Sequence, residues 1–263
     1  MTQALTNALP QLVRDFAGDN ALLIDNGEIS SREVLPLLGD SGTLGLGLPN
    51  NNDGRLVDLL EALEELAAFA AWSHRATMEF LAAADTDHSS NLVLDMVTGK
   101  RPGSTAMASG FRALAGLGQP DLTARSTETG YRLNGRIHWA SNLYPDATIV
   151  TTARNERGEL LFIAIDVDTP GVSVADPLDL LAMTGTASTA VDITNVDISQ
   201  KHVLVTRCEG FLRSVRPTFS SLQTAICIGL ARGAISEVPN RLKGANSVFT
   251  EEVQETIRAL ETL

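Results

Sequence analysis

The longest helical pattern in the sequence is RLVDLLEALEELAAFAAWSHRATMEFLAAA, residues 55–84. Its apolar side chains recur at steps of three and four residues, while acidic side chains take the opposite positions. The apolar set is Leu56, Leu59, Leu60, Leu63, Leu66, Ala67 and Ala70, and the acidic set is Asp58, Glu61, Glu64 and Glu65. This spacing matches the turn of an α-helix and predicts one long amphipathic helix.

Two shorter helices are predicted on either side of it. SREVLPLLGD gives a helix that loses its pattern near Gly42, and the Gly, Pro and Asn cluster that follows is predicted to be a loop. SSNLVLDMVTGK gives a helix closed by Gly99, because glycine readily takes the left-handed conformation that ends helices. The first hundred residues therefore read as helical.

The hydrophobic period changes after Pro102. Four short stretches are rich in Val, Ile and Thr and bounded by Gly, Asn or Pro, as strands are: GYRLNGRIHW, ATIVTTARN, GELLFIAIDV and STAVDITNVDI. TETGYRL and RNERGEL are typical of hairpin turns with glycine at a positive φ. The pattern predicts a compact β region from about Ser104 to about Val205.

Helix returns in FSSLQTAICIGLARGAISEV, which we expect Pro239 to end or kink. Gly229 and Gly233 lie one turn apart and would let a neighbouring helix approach closely. A last helix is predicted from Thr250 as its N-cap. Its apolar stripe is Val253, Ile257, Leu260 and Leu263, which needs a partner.

The order of elements predicts an α+β chain in three parts. These are an N-terminal helical domain at 1–103, a small β-barrel or sandwich domain at 104–208, and a partial C-terminal helical domain at 209–263.

Composition narrows the class of protein. With 44% hydrophobic and 20% charged residues the chain should fold as a globular protein. A net charge of -12 and scattered basic residues argue against nucleic acid as a partner. The apolar runs are too short to span a bilayer, and the N-terminus lacks a secretory pattern, so we expect a cytoplasmic protein without a membrane partner. Cys208 and Cys227 have no metal or CxxC spacing and are interpreted as small, reduced, buried residues.

One short stretch carries candidate chemistry. In YRLNGRIHWASNLYPDATIV, Trp139 precedes Ser141 by two residues. Residues two apart on a strand share a face, so an indole plane and a hydroxyl would be offered to the same object. The alternative is that Trp139 is a core aromatic and Ser141 merely ends the strand.

Several stretches resemble motifs of the acyl-CoA dehydrogenase flavoproteins, in the same α, β, α order. GYRLNGRIHWASN resembles the family hairpin Gly-Tyr-x-Leu-Asn-Gly-x-Lys-x-Trp-Ile-Thr-Asn, and LGDSGTLGLGLPNNNDG resembles its Gly-Leu-x-Gly-Leu-x-x-Pro loop. TGTASTAVDITNVDIS resembles its Gly-x-Arg-x-Ser-x-Thr strand, and LARGA matches its helix after the β domain. The resemblance covers nearly the whole chain, which is about two thirds of the usual family length.

The resemblance implies an FAD cofactor. Trp139, Ala140 and Ser141 would lie against the isoalloxazine ring, with the Ser141 hydroxyl near N5 in place of the family's usual Thr. MASGFRALAG matches the first β strand, Thr-Glu-Pro-x-x-Gly-Ser-Asp, so backbone contacts from Met107, Ala108 and Ser109 to the flavin are implied. The Thr is replaced by Ala108 and no Gly-Ser-Asp follows, which weakens the match for CoA recognition.

The resemblance also implies an activity: FAD-dependent α,β-desaturation of an acyl thioester such as acyl-CoA, in fatty acid metabolism. Neither the family's catalytic Glu nor its Arg-x-x-Phe-Gly pyrophosphate motif is found, since AICIGLA holds no carboxylate and RLKGANSVF has the wrong spacing. A fragment, a shortened subunit or activity in another chain would each account for this.

The alternative functions are a flavin-dependent monooxygenase of the same fold, and a non-catalytic subunit that docks on a partner. We expect a homo-oligomer, or a hetero-oligomer through the C-terminal helices.

Other polar clusters are interpreted as structural. Asp85, Asp87 and His88 in DTDHSS are expected to cap a helix junction rather than bind a metal, and His74 and His138 lack ligand-spaced partners. GxSxG and a strand-following GxGxxG are absent from the sequence, which disfavours a hydrolase and a Rossmann site.

Overall fold

Helices occupy the N-terminal part of the chain. The computed structural model describes residues 9–48, 55–66, 68–178, 180–206, 208–242 and 255. The first helices are α1 (Gln11–Asp25), α2 (Val34–Asp40), α3 (Leu56–Leu66), α4 (Phe69–Ala84) and α5 (Asp87–Val97). Gly42 and Gly99 follow α2 and α5 at φ of 76° and 70°, so both predicted helix ends are confirmed. The loop predicted after Gly42 is described as far as Leu48 and contains one 3-10 turn, Thr43–Gly45; residues 49–54 lie outside the described residues.

The single long helix predicted over residues 55–84 is wrong: it is divided into α3 and α4. Ala68 is extended, with φ of -84° and ψ of 112°, and it turns the chain between them. The two helices have different surroundings. In α3 one face is buried, through Leu59, Ala62 and Leu63, whereas every residue of α4 from Ala70 to Leu81 is buried.

The β region is an eight-stranded mixed sheet with the order β6-β7-β3-β2-β4-β5-β8, and β1 pairs with β4. Its strands are β1 (Gly103–Ala106), β2 (Leu122–Ser126), β3 (Gly130–Ala140), β4 (Thr148–Asn155), β5 (Leu160–Asp166), β6 (Val172–Val174), β7 (Thr189–Ser199) and β8 (Val203–Val205). The four predicted strands correspond to β3, β4, β5 and β7. Of the four that the sequence did not show, β6 and β8 have three residues each, too few to show a period.

The two predicted hairpin turns differ in their glycines. Gly158 has a φ of 79°, as expected. Gly130 does not have a positive φ. It lacks a side chain for another reason: a Cβ there would overlap the carbonyl oxygen of Ile198 on the neighbouring strand β7. Close approach of two backbones, rather than a left-handed turn, requires glycine at this position.

A second helical region packs beside the first. A short helix, α6 (Ala108–Leu114), follows β1, and a long one, α7 (Cys208–Leu242), follows β8. We expected Pro239 to end or kink this helix; α7 continues to Leu242, so Pro239 does not end it, and the kink stays a prediction. Gly229 allows close approach as predicted, because a Cβ there would overlap the carbonyl oxygen of Glu64 in α3. Gly233 has no atom within 4 Å of such a Cβ and does not serve this purpose.

The core falls into three apolar clusters. One lies inside the sheet, one joins α1 to α4 with the middle of α7, and one joins α4 and α5 to β5 and the start of α7. Phe80 of α4 lies at the centre of the third cluster, 6.3 Å between ring centroids from Phe162 and from Phe211. The buried helix α4 thus connects the helical layer to the sheet.

The two cysteines are less buried than predicted. Cys227 is exposed on α7, so its assignment to the core is wrong. Cys208 is partly buried, and its thiol donates to the carbonyl oxygen of Leu160 at 2.9 Å. Burial raises the pKa of Cys208 to about 11.

Some predictions are not tested by the described residues. The last predicted helix, with Val253, Ile257, Leu260 and Leu263, lies outside it. The domain division at residues 103–104 and 208–209 stays a prediction; the elements change from helix to strand at Gly103 and from strand to helix at Cys208. Within the described residues, no helix is both long enough and apolar enough to cross a membrane.

Candidate functional site

The end of β3 presents Trp139 to solvent. Its side chain is 50% exposed, which is unusual for an indole, whereas Ser141 is only 4% exposed. The strand register shifts between Ile137 and Ala140, and β3 ends at Ala140. The regular alternation that would place Trp139 and Ser141 on one face therefore stops before Ser141. The reading of Trp139 as a core aromatic is also wrong, because half of the indole is open to a partner.

Ser141 belongs to a chain of buried hydroxyl groups. Its Oγ lies 2.6 Å from Oγ of Ser188, which in turn lies 2.6 Å from Oγ1 of Thr186. The Thr186 hydroxyl donates to the carbonyl oxygen of Met183 at 2.7 Å. We call Ser141, Ser188, Thr186 and the Met183 carbonyl the hydroxyl chain. It joins the end of β3 to the turn that precedes β7.

Asn142 fixes the position of this strand end. Its φ of 59° is in the left-handed region, which Asn tolerates better than most residues. The side-chain amide donates to the carbonyl oxygens of Ala70 in α4, at 2.8 Å, and Gly103 in β1, at 3.1 Å. Its backbone N–H donates to the carbonyl oxygen of Thr186 at 3.0 Å. One residue thus ties a helix, a strand and the Thr186 turn to the end of β3.

The stretch MASGFRALAG does not form the strand to which it was compared. β1 ends at Ala106, and α6 begins at Ala108. Ala, Leu and Arg favour helix, and the stretch has no β-branched residue. Met107 is buried, Ala108 is exposed, and Oγ of Ser109 accepts the backbone N–H of Asp121 at 3.2 Å. The Ser109 hydroxyl is therefore engaged within the protein.

A cavity of about 440 Å³ lies beside the hydroxyl chain. It is bounded by α1, the start of α4, the middle of α7 and the turn around Thr186. Its walls are mainly apolar, with Ala21, Phe69, Trp72, Ile226 and Leu230 among them. This volume and lining are typical of small-molecule pockets.

Polar groups are few at this cavity. Oδ1 of Asp25 accepts the backbone N–H of Met183 at 2.6 Å, and Ser31 bonds to Oη of Tyr144 at 2.8 Å and to the Gly185 carbonyl. Thr186 lines the cavity and is also part of the hydroxyl chain. None of the described residues that line the cavity carries a positive charge, so it suits an uncharged, apolar group.

His74 has a structural role, as expected. Its Nδ1 accepts the backbone N–H of Gly103 at 2.9 Å, so the proton of the neutral ring is on Nε2, which donates to the carbonyl oxygen of Met96 at 3.0 Å. Burial lowers the pKa of His74 to about 4. The cap of the following helix is also structural, but it consists of Thr86 and Ser89 rather than Asp85, Asp87 and His88.

Comparison with known proteins supplies a context for this geometry. No family model matches the sequence. A curated protein named "Probable acyl-CoA dehydrogenase YngJ", from Bacillus subtilis (strain 168), is 22% identical over 250 residues. The match covers 86% of this chain and 65% of the relative, so the chain spans less than two thirds of that protein's length.

Several solved structures superpose on this chain over most of its length. Butyryl-CoA dehydrogenase from Megasphaera elsdenii superposes with a TM-score of 0.80 at 16% identity, over 100% of this chain and 77% of the other. This chain has the acyl-CoA dehydrogenase fold. An acyl-CoA dehydrogenase complexed with FAD from Bacillus anthracis gives a TM-score of 0.79 at 16% identity, over 94% of this chain and 46% of the other.

The acyl-CoA dehydrogenase fold confirms the resemblance and the α+β class inferred from the sequence. Two of the predicted sets lie at element ends: Trp139, Ala140 and Ser141 at the end of β3, and Met107, Ala108 and Ser109 just after β1. Asn142, which follows the first set, donates to the carbonyl oxygen of Gly103 at the start of β1. Sequence reasoning missed Asn142, Thr186 and Ser188. The signal available was the density of hydroxyl groups in TGTAST, which was read only for its resemblance to a family motif.

Proposed function

We propose that this protein is an acyl-CoA dehydrogenase-like flavoprotein oxidoreductase that binds FAD and desaturates an acyl thioester between its α and β carbons. The observation that carries the proposal is the half-exposed Trp139 at the end of β3, two residues before the buried Ser141. A flat, open aromatic face suits a flat ring such as isoalloxazine.

The residues present fit the ring of the cofactor. Trp139 offers a free aromatic surface, and Ser141 retains hydrogen-bonding capacity beyond its bond to Ser188. Ala140 and Met107 are buried and would pack beneath. Backbone N–H groups of Ala108 and Ser109, in the first turn of α6, have no partner within that helix and could meet the pyrimidine edge. For the pyrophosphate, no ligand is assigned.

Each of these residues would have a defined task. Bound FAD would supply the acceptor for the hydride that leaves the substrate's β carbon. Trp139 would cover one face of the ring and exclude water from it. The apolar cavity next to Thr186 would hold the substrate's hydrocarbon part, since it offers no cation to bind a charged group. A catalytic base is not assigned among the described residues.

Flavin binding provides the first test. The protein is purified, FAD is added, and binding is measured by calorimetry and by the visible spectrum of the bound flavin. Trp139→Ala should weaken FAD binding by about 5-fold to 150-fold, since stacking on an aromatic side chain is worth about 1–3 kcal/mol and about 1.4 kcal/mol is a factor of ten. Trp139→Phe should retain most of the affinity.

Trp72 supplies the matched control. It is 8% exposed, and its indole N–H has no hydrogen-bond partner among the described residues. Trp72→Phe should therefore leave FAD binding unchanged. A wild-type protein that shows no flavin spectrum with excess FAD, or a Trp139→Ala variant that binds as tightly as wild type, would refute the proposal.

A second experiment tests the reaction. FAD-loaded protein is incubated with saturated acyl-CoA substrates of increasing chain length and an artificial electron acceptor, and formation of the enoyl product is followed. Desaturation of any of them supports the proposal. Tight FAD binding without product at any chain length would retain the flavoprotein and refute the desaturase.

A flavin-dependent monooxygenase is the second candidate. The α7 residues that line the cavity are Gln223, Ile226, Cys227 and Leu230, none of which can serve as a carboxylate base. Asp25 is the carboxylate at the cavity, and it is bound to the Met183 N–H. Oxygen consumption by the reduced, FAD-loaded protein, coupled to an oxygenated product, would favour this candidate.

Cytoplasmic location and assembly into a homo-oligomer or hetero-oligomer stay proposals. Light scattering coupled to size exclusion tests assembly, and a monomeric mass at all concentrations would refute self-association.

A further inference from the structure

We propose that α1 is a movable strap over the apolar cavity, which opens by bending at Gly18 and is held closed by a hydrogen bond from Met183 to Asp25. The inference deepens the proposed function, because it concerns the cavity assigned there to the hydrocarbon part of the substrate. It describes how a ligand enters and leaves that cavity, and FAD takes no part in it.

The two halves of α1 are packed differently. The N-terminal half is fixed in the helical core by Val13, which is 1% exposed, and by Phe16, which packs on the same apolar cluster. From Ala17 to Asp25 no residue is buried. A helical segment without buried side chains gains little stability from packing and opens readily. The C-terminal half of α1 is therefore the part that can move.

The cavity is the reason that this half lacks packing. Ala17, Ala21 and Ile24 line the cavity, so a space of about 440 Å³ lies where α1 would otherwise meet α4 and α7. With α1 in its closed position, these three apolar side chains would pack on a ligand in the cavity, and with α1 open they would face water. An apolar ligand thus favours the closed strap, because closure removes apolar surface from water.

Gly18 lies at the boundary between the two halves. Space does not require glycine there, since no described atom lies within 4 Å of a Cβ placed at this position. Its φ is not positive either. Glycine inside a helix weakens the helix, because it has more backbone freedom than any other residue. Such freedom, at the junction of a packed and an unpacked half, is what a hinge needs.

The far end of the moving half is latched to a fixed turn. Oδ1 of Asp25 accepts the backbone N–H of Met183 at 2.6 Å, and we call this hydrogen bond the latch. The turn that follows Met183 is held in place, since the carbonyl oxygen of Thr186 accepts the backbone N–H of Asn142 at 3.0 Å. The latch is exposed, so water can replace either partner when it breaks. It can therefore open and close without leaving a buried polar group unpaired.

Rates of ligand exchange test the strap. The probe is N-phenyl-1-naphthylamine, an uncharged aromatic molecule that fluoresces in apolar surroundings, and stopped flow measures its association with the full chain and its dissociation, without FAD. Asp25→Ala removes the latch and should raise both rates about tenfold, as the loss of one hydrogen bond to a charged group predicts. Gly18→Ala stiffens the hinge and should lower both rates about fivefold. The dissociation constant should change much less than either rate.

Three control variants separate the strap from other effects. Asp25→Asn keeps an oxygen that accepts the Met183 N–H but removes the charge, so it should keep the wild-type rates. Asp19→Ala removes an exposed carboxylate of α1 that does not line the cavity. Gly233→Ala makes the same change as Gly18→Ala, also in open space, but in α7. Both of these variants should leave the rates unchanged.

Hydrogen exchange gives a second measurement that needs no variant. The backbone N–H groups of residues 22–25 should exchange faster than those of residues 14–17, because the C-terminal half opens without the N-terminal half. Bound probe should slow the exchange of residues 22–25 and leave that of residues 14–17 unchanged. Equal exchange in the two halves, unaffected by the probe, would contradict a hinge at Gly18.

The outcomes are distinguishable. Opposite changes of rate in Asp25→Ala and Gly18→Ala, with unchanged controls, support the inference. Wild-type rates in both variants overturn it, because the cavity would then have a fixed wall. An effect of Asp25→Asn as large as that of Asp25→Ala also overturns it, because charge rather than the latch would set the rates.

The flavoprotein proposal is tested separately. A wild-type chain that does not bind the probe at all overturns the strap and the use of the cavity for a hydrocarbon group. FAD binding, measured with the Trp139 variants, decides the flavoprotein proposal whatever the probe shows.

Discussion

Acid should destabilise this protein through His74. The ring is neutral and buried, with Nδ1 accepting from Gly103 and Nε2 donating to Met96. Its pKa falls from the ordinary 6.5 to about 4 because burial disfavours the charged form. Protonation would add a hydrogen to Nδ1, where it would directly face the Gly103 N–H. The unfolded chain therefore takes up a proton at a higher pH than the folded chain does.

The sign and size of the effect follow from this difference. The contribution of His74 to stability is fully present above pH 6.5 and is lost as the pH falls toward 4. At pH 5 the unfolded chain is favoured by about 2 kcal/mol relative to pH 7, since each pKa unit is worth about 1.4 kcal/mol. By pH 4 the loss reaches about 3 kcal/mol, which is a large part of a typical folding free energy.

Urea unfolding at pH 7 and pH 5, followed by circular dichroism, measures the effect. His74→Gln is the reference, because its amide does not titrate. It should be less stable than wild type at pH 7, but should lose about 2 kcal/mol less between pH 7 and pH 5. Burial also lowers the pKa values of His88 and His202, and their contribution is present in both proteins and cancels. Equal losses in wild type and variant would refute the reasoning.

Two further predictions concern packing and thiol reactivity. Gly229→Ala should destabilise the protein by about 1–3 kcal/mol in urea unfolding, because the new methyl group would overlap the Glu64 carbonyl. Gly233→Ala has open space around it and should stabilise α7 by up to about 1 kcal/mol. Equal effects at the two positions would contradict the close packing of α3 on α7. Exposed Cys227 should react with a disulfide reagent at pH 8 well before Cys208, whose pKa is raised to about 11 by burial. Cys227→Ser should remove the fast phase, and a fast phase that persists would show that Cys208 is accessible.

Local patterns in the sequence predicted whether a segment is helix or strand better than they predicted where it breaks and what it packs against. The periodicity of residues 55–84 correctly indicated helix, but the break at Ala68 depends on what surrounds each half, and α4 is buried on all sides while α3 is not. Gly130 was likewise recognised as necessary, although for the wrong reason. Its requirement comes from Ile198, 68 positions later in the sequence, which no local pattern reveals.

The candidate site could be predicted only in part. Trp139 and Ser141 stood out because a motif surrounds them. Their difference in exposure arises from the register shift near the end of β3, which depends on pairing with β7. Ser188 and Thr186 are 47 and 45 positions from Ser141, and folding alone brings the three hydroxyls together. Tertiary contacts, rather than residue types, determine which groups meet here.

The amide of Asn142 has a consequence for how the protein can move. Its two N–H bonds lie in one plane at a fixed angle, and each is committed to a different element, α4 through Ala70 and β1 through Gly103. If the helix slid past the strand by even an ångström or so, one of the two bonds would lose its geometry, roughly beyond the range in which hydrogen bonds persist. A carboxylate of the same size would have no proton to give to either carbonyl. The start of α4 and the start of β1 are therefore tied to each other at the strand end that follows Trp139, and sliding one past the other would cost one of these two bonds.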